Sequence, residues 1–363
     1  MVTPGVETSQ DSLFSELPTK RAAYSDRRSV LMAEMSRLAY IPFERPDEAE
    51  LNEVVEQVRN APDAEDARAI LEKFTKGFRD EQTGSRERLI TRLTELQFEL
   101  VSTYAVGETQ AFLTKRAYRN PEDRTSTGVL ILSYRGTESR KIKDWLTDLD
   151  ARKTNSRGVG VHTGFWNAFG LVKTQIKEDI APLIAEGYTL YITGHSLGGA
   201  LALITTRELG NDSTGACYTF GQPRVSEYGF ARNIKTPIYR VVNASDVVPR
   251  MPPMVIHRLL TFALSIPIIV FPGKSWVVRI LKQFFYIHHG DMRYLTKSRT
   301  GKAGDYSDVS VLLNPNIVDR AKWLFRDILP QFGSLVGDHA ITNYYDKLRA
   351  YAIKRNPSLG SDD

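Results

Sequence analysis

Ser196 lies in "TGHSLGG" (residues 193–199), between the apolar run Tyr188–Ile192 and the helix-like run Ala200–Ile204. Gly194 and Gly198 flank it at the second position on either side. A serine at a sharp strand-to-helix turn carries its hydroxyl out at the edge of a sheet, and glycines at those two positions keep neighbouring side chains from colliding. The helix that follows turns unpaired N–H groups toward the same spot. Such donors can hold the oxyanion formed when a hydroxyl adds to a carbonyl. The chemistry indicated is therefore acyl transfer. The competing reading is a tight turn with an inert serine. The strand before and the helix after favour the nucleophile.

A nucleophilic serine needs a base, and the base needs an orienting acid. In a strand-turn-helix setting of this kind the chain order is Ser, then Asp or Glu, then His. Downstream of Ser196 the base candidates are the pair His288/His289 and His339, with His257 a weaker third. Asp246 follows the strand-like "YRVVN", which puts it on a loop at the carboxyl end of a strand, the edge where Ser196 also emerges. Asp291, Asp305 and Asp308 sit in less informative surroundings.

The elements that must position these residues alternate. Residues 1 to 24 are polar and are expected to be a flexible segment, as is the tail 356–363. Arg27–Tyr40 has apolar residues at helical spacing. Residues 45–98 are helical in pattern and rich in charge, punctuated at Pro62-Asp63 and Thr83-Gly84. β-like runs follow over 98–106, 109–117 and 128–134. A long amphipathic helix spans about 162–186, a strand 188–192, and a helix continues to about Leu209. Residues 216–221 and 237–243 read as buried strands with a helix, about 227–234, between them. This alternation predicts an α/β fold, a mostly parallel sheet with helices on both faces. Residues 25–355 are expected to form a single domain.

Composition adds bounds. The chain has 363 residues, 42% of them hydrophobic, and a formal net charge of +5, a mild basic bias that permits attraction to an anionic membrane surface. Cys217 is the only cysteine, so no intrachain disulfide can form. Residues 1–30 hold no apolar core of signal-peptide length. A cytoplasmic or peripheral-membrane location is expected, with export independent of a cleavable signal left open. The uncharged run Leu259–Phe271, "LLTFALSIPIIVF", has 13 residues and is interrupted by Pro267. A spanning helix needs about 20 apolar residues, so a transmembrane span is not expected here. No Cys/His cluster has zinc spacing, and nothing suggests nucleic-acid binding. Oligomeric state is not legible.

Several segments in order resemble the class 3 lipases, the fungal-type family of the α/β-hydrolases. They are "MSRLAY" (35–40), "SYRGTESRKIKDWLTDLD" (133–150), "VHTGFWNAF" (161–169), "TGHSLGGALA" (193–202), "YTFGQPRVSEYGFA" (218–231), "YRVVNASDVVPRMPP" (239–253), "HHGDMRYL" (288–295) and "DHAITNYY" (338–345). The resemblance implies an α/β-hydrolase fold with two helical inserts, at about 45–98 and 254–287. It implies Ser196 as nucleophile, Asp246 as acid and His339 as base. It also implies an oxyanion hole from the backbone N–H groups of Thr137 and Leu197, and no metal or organic cofactor. His288, His289 and His195 are then expected in structural roles.

The activity implied is hydrolysis of lipid acyl esters, triacylglycerol or acylglycerol first, at a membrane or lipid-droplet surface. A phospholipase A1-type enzyme is the close alternative, and a soluble-ester esterase comes third. A membrane-binding protein of the same fold without turnover is the fourth, and the intact Ser/Asp/His set argues against it. Ser139–Asp148 matches the family's lid and places Ile142, Trp145 and Leu146 on one face. It is read as a flap over the serine or as an ordinary surface helix. The 254–287 insert combines apolar bulk with Arg258, Lys274, Arg279 and Lys282. That pattern suits either a lipid interface or a buried hairpin.

Overall fold

The computed structural model describes residues 23–41, 48–118, 127–137, 152–211, 214–244, 246–252, 286–296, 298, 304–316, 318–320 and 337–357. The flap segment 139–148, nearly all of the 254–287 insert, His257 and most of the polar N-terminus lie outside these residues.

Alternation of apolar runs with turn signals yields an eight-stranded sheet. The strands are β1 (Glu99–Val106), β2 (Thr109–Tyr118), β3 (Thr127–Tyr134), β6 (Thr189–His195), β7 (Thr214–Phe220), β8 (Ile238–Asn243), β9 (Asp291–Leu295) and β10 (Val311–Leu313), side by side in that order. From β3 to β9 every neighbour pair is parallel, and the antiparallel pairs are confined to the two edges. The mostly parallel sheet expected from the sequence is therefore present. A separate hairpin of β4 (Lys153–Ser156) and β5 (Val159–His162), not foreseen in the sequence, leads into the long helix α4 (Thr163–Ala185).

Helices cover both faces because strands buried on both sides expose apolar residues to both. On one face α1 (Asp26–Leu38) and α6 (Ile341–Arg355) pack on Tyr191, Tyr218, Phe220, Tyr239 and Val241. On the other, α4 and α5 (Leu197–Leu209) pack on Leu130, Leu132, Leu190 and Ile192. α1 is buried almost all round, and its polar side chains are paired: Arg28 donates to the Tyr191 hydroxyl (2.5 Å) and Ser36 Oγ meets Thr193 Oγ1 (2.9 Å). Tyr24, assigned to the flexible segment, instead stacks near Tyr218 and Tyr239 with ring centroids 6.1 and 5.3 Å away. Its aromatic surface is better placed in that core than in water.

The first insert is two helices, α2 (Glu48–Arg59) and α3 (Ala64–Glu95). Asp63 caps α3, its carboxylate accepting from the N–H groups of Glu65 and Asp66, so the break expected at Pro62-Asp63 occurs. The break expected at Thr83-Gly84 does not. A glycine inside a helix costs only about 1 kcal/mol against alanine, and α3 runs through it. The helix expected at 227–234 is also absent. Gly229 has φ +96°, outside helical space, and the segment closes as successive turns with Phe230, Arg232 and Ile234 N–H bonded to the carbonyls of Glu227, Gly229 and Ala231.

Candidate active site

Ser196 sits between the end of β6 and the start of α5 with φ 57° and ψ −126°. A serine at positive φ is strained and is held only where its surroundings impose it. Here they do. Its N–H donates to Phe220 O (2.9 Å), and its carbonyl accepts from Gly199 and Ala200 N–H. A Cβ at Gly194 would strike Gly198 C and O, and one at Gly198 would reach Tyr134 O (2.5 Å) and Arg135 O (2.8 Å). Both glycines are therefore needed for close approach. Leu197 opens α5 with an N–H that no intrahelical acceptor can fill.

Strand β3, which pairs with β6, delivers the loop expected to hold the oxyanion. Arg135 is tied to β2 twice, its N–H to Gln110 O (2.9 Å) and its guanidinium to Gln110 Oε1 (2.6 Å). Gly136 then passes so close to the serine turn that a Cβ on it would meet the Tyr40 hydroxyl (2.5 Å) and Ser196 Cβ (3.0 Å) and collide with His195 O. Thr137 follows, its carbonyl 3.5 Å from the Tyr40 hydroxyl. Thr137 thus follows directly on a residue packed against the Ser196 turn, and Leu197 follows Ser196 itself.

Asp246 lies three residues after β8, and His339 ends a short 3-10 turn, Gly337–His339, just before α6. His339 Nδ1 is 2.7 Å from Asp246 Oδ2, and both side chains are fully buried. A carboxylate partner fixes the proton on Nδ1 and leaves Nε2 as the acceptor. The carboxylate is itself held: Oδ2 accepts from the Tyr344 hydroxyl (2.6 Å) and Oδ1 from Val248 N–H (2.9 Å). Burial, with Asp246 adding to it, pushes the Tyr344 hydroxyl well above its ordinary range, so it stays a donor. Gly221, φ +58°, lies against the pair. A Cβ there would stand 2.8 Å from His339 Cε1 and 2.9 Å from Asp246 Oδ2.

Two buried atoms in this cluster have no hydrogen-bond partner, Ser196 Oγ and His339 Nε2. One is a hydroxyl oxygen at the strand-to-helix turn and the other the ring nitrogen left free by Asp246. Ser196, Asp246 and His339 are all inaccessible to solvent.

The other histidines are placed elsewhere. His289 Nε2 meets Ser226 Oγ (2.8 Å), and His288 Nε2 donates to Pro249 O (2.6 Å). Burial, then the charges of Arg240 and Arg207, lower His289 to about 4, so it is neutral at pH 7. His195 is more than a packed ring. Its Nε2 donates to the His339 carbonyl (2.6 Å), and its Nδ1 meets the Tyr40 hydroxyl (2.7 Å). Burial lowers its pKa well below the ordinary value, and His339 lowers it further. A neutral His195 thus joins the turn to the His339 segment and, through Tyr40, to the Thr137 loop. Tyr40, His195 and Tyr344 were not assigned to the site from sequence. The only signal was their place inside quoted motifs. No group of three or more His, Cys, Asp or Glu is arranged for a metal among the described residues.

Residues 131–256 match the family model described as Lipase (class 3), a stretch that holds Thr137, Ser196, Leu197 and Asp246 but not His339. The chain is 36% identical over 135 residues to secreted mono- and diacylglycerol lipase 1 of Fusarium solani, covering 35% of this chain and 40% of that one. It is 32% identical over 142 residues to a lipase of Rhizomucor miehei, covering 35% and 39%. The match thus spans about two-fifths of the length of these curated relatives. Among solved structures, the lipase of Rhizopus microsporus var. chinensis is similar with a TM-score of 0.47 and 21% identity, over 82% of this chain and 90% of that one. The matching segment, which carries the serine turn and the Asp246 loop, is thus similar to the class 3 lipases.

Proposed function

We propose that this protein is a serine hydrolase of lipid acyl esters, with neutral glycerides as the leading substrate class. The observation that carries the reading is the pair of unpartnered buried atoms, Ser196 Oγ and His339 Nε2, beside a His339 Nδ1 already engaged by Asp246. Ser196 Oγ attacks the ester carbonyl and His339 Nε2 takes its proton. Asp246 stabilises the imidazolium. The N–H groups of Thr137 and Leu197 hold the oxyanion. His339 returns the proton to the departing alcohol, leaving an acyl-Ser196 ester. Water, deprotonated by His339, then releases the carboxylic acid and restores the serine.

The relatives are named as mono- and diacylglycerol lipases and lipases, which supports the glyceride reading. A phospholipase A1-type activity is the second reading. It is favoured by the cationic, acid-free sequence from Pro253 to Phe285. Full burial of the serine fits a site that opens at a lipid surface, with Ser139–Asp148 as the proposed flap.

Two assays test this. Hydrolysis of a chromogenic short-chain ester, lost in Ser196→Ala, separates an enzyme from an inert scaffold. Glyceride emulsions against phospholipid vesicles then rank the substrates. Absence of any ester hydrolysis by the folded wild type, with and without a lipid interface, would sink the reading.

A further inference from the structure

Arg240 stands in the middle of β8, on the sheet face opposite α1 and α6, and is almost wholly buried at 6% exposure. Its neighbours across the ladder are Thr219 on β7 and Met292 on β9, neither of which carries charge. Its Nε has no hydrogen-bond partner, and its guanidinium makes no ion pair among the described residues. Thr219 Oγ1 and His288 Nδ1 are likewise buried and unpaired.

The charges around Arg240 have its own sign. Burial first, then Arg320 and Arg224, lower it to about 9, and no carboxylate among the described residues acts on it. Burial first, then Arg320 and Arg250, lower Arg224 to about 10. Both remain protonated at neutral pH. Arg224 spends donors on the carbonyls of Arg250 and Pro252, and Arg250 donates to Ala244 O (2.8 Å), so these contacts brace the loop, and Asp246 is the carboxylate that acts on Arg250. His288 is lowered well below its usual value by burial and then by Arg240 and Arg224. The chain that leaves this cluster offers no counter-charge. From Pro253 to Phe285 the sequence contains Arg258, Lys274, Arg279 and Lys282 and not one Asp or Glu.

A buried charge without a partner costs several kcal/mol unless something compensates it. An arginine cannot escape by losing its proton, as a buried lysine can. An anion that reaches the guanidinium would compensate it. Guanidinium forks match tetrahedral phosphate oxygens.

We infer that Arg240, with the unpaired Thr219 hydroxyl beside it in the ladder and Arg224 nearby, forms a binding site for a phosphate-type oxyanion, free or as a phospholipid headgroup. This goes beyond hydrolysis and needs no turnover, so it stands or falls separately from the proposed activity. Met292 is the informative position, because a carboxylate there lies beside Arg240 in the ladder and supplies internally what the anion supplies from outside.

The test is thermal unfolding of the full chain at constant ionic strength, with sodium phosphate replacing sodium chloride. The wild-type midpoint should climb by several degrees and saturate. Met292→Glu should begin at or above the wild-type midpoint in chloride and gain nothing from phosphate. Arg240→Met should also be unresponsive, and if it does not fold, Met292→Glu decides alone. A second arm is co-sedimentation with phosphatidic acid vesicles. Loss of sedimentation in Met292→Glu identifies a lipid headgroup as ligand, and equal sedimentation with the phosphate response intact in wild type identifies free phosphate. No wild-type response to phosphate or to vesicles, or an undiminished response in Met292→Glu, overturns the site.

Discussion

His339 Nδ1 lies 2.7 Å from Asp246 Oδ2, and the opposite nitrogen of the same ring has no partner. That relationship separates His339 from His289, which is spent on Ser226. His339→Ala should remove esterase activity nearly as fully as loss of the serine, with the fold intact by circular dichroism. His289→Ala should keep much of its turnover and lose thermal stability instead. An inactive but folded His289→Ala beside an active His339→Ala would reverse the assignment.

Tyr344 holds Asp246 from the next helix, donating at 2.6 Å while accepting from Asn243 N–H at 3.1 Å. Tyr344→Phe removes one donor from the carboxylate and leaves a backbone N–H unpaired. Hydrogen bonds of this kind are worth about 1 to 3 kcal/mol. The expected result is a kcat lowered by roughly tenfold or more with KM little changed, measured on a soluble ester. An unchanged kcat would show that the other contacts hold Asp246 by themselves.

Much of this was legible beforehand, and the residues show why. α5 ends at Leu209 as its apolar pattern predicts, and Ser196 sits at its mouth, because strand, turn and helix here are local signals. Gly229 at φ +96° defeated the helix read at 227–234, since periodicity alone does not reveal a backbone angle. Tyr344 and Asp246 are 98 positions apart, and Tyr40 and His195 are 155. Their hydrogen bonds exist only after the sheet has ordered its strands. The unpaired Arg240 was invisible for the same reason, because its neighbours Thr219 and Met292 come from two other strands.

Gly221 is required twice over, by φ +58° and by the His339–Asp246 pair against it. Gly221→Ala should destabilise the protein by about 1 to 3 kcal/mol and lower turnover by displacing His339. Thermal melts and kcat on one sample check both. A variant with wild-type stability and turnover would mean that the pair shifts without consequence.

Acid should weaken the fold before carboxylates titrate. His289 falls to about 4 in the folded protein, and His195 and His288 shift in the same direction. A histidine with a depressed folded pKa binds its proton more readily when unfolded, so its contribution is complete above the unfolded value of about 6.5. That contribution is lost as the pH falls from there toward 4. For His289 alone the loss is roughly 3 kcal/mol. Unfolding midpoints between pH 7.5 and 4.5 should fall steeply, and less steeply in His289→Gln. A flat profile across that range would contradict the buried neutral histidines.

The central claim is that Ser196 is the nucleophile, and covalent capture tests it most directly. The folded protein, incubated with a fluorophosphonate ester at a lipid interface, should gain one phosphonyl adduct by intact mass, mapped to Ser196, with esterase activity lost in step. Ser196→Ala should take up none, and its turnover should fall by several powers of ten, on the order of 10⁶ in a well-studied serine protease. A folded wild type that hydrolyses esters but is labelled on another residue, or a Ser196→Ala protein that keeps near-normal turnover, would contradict the account.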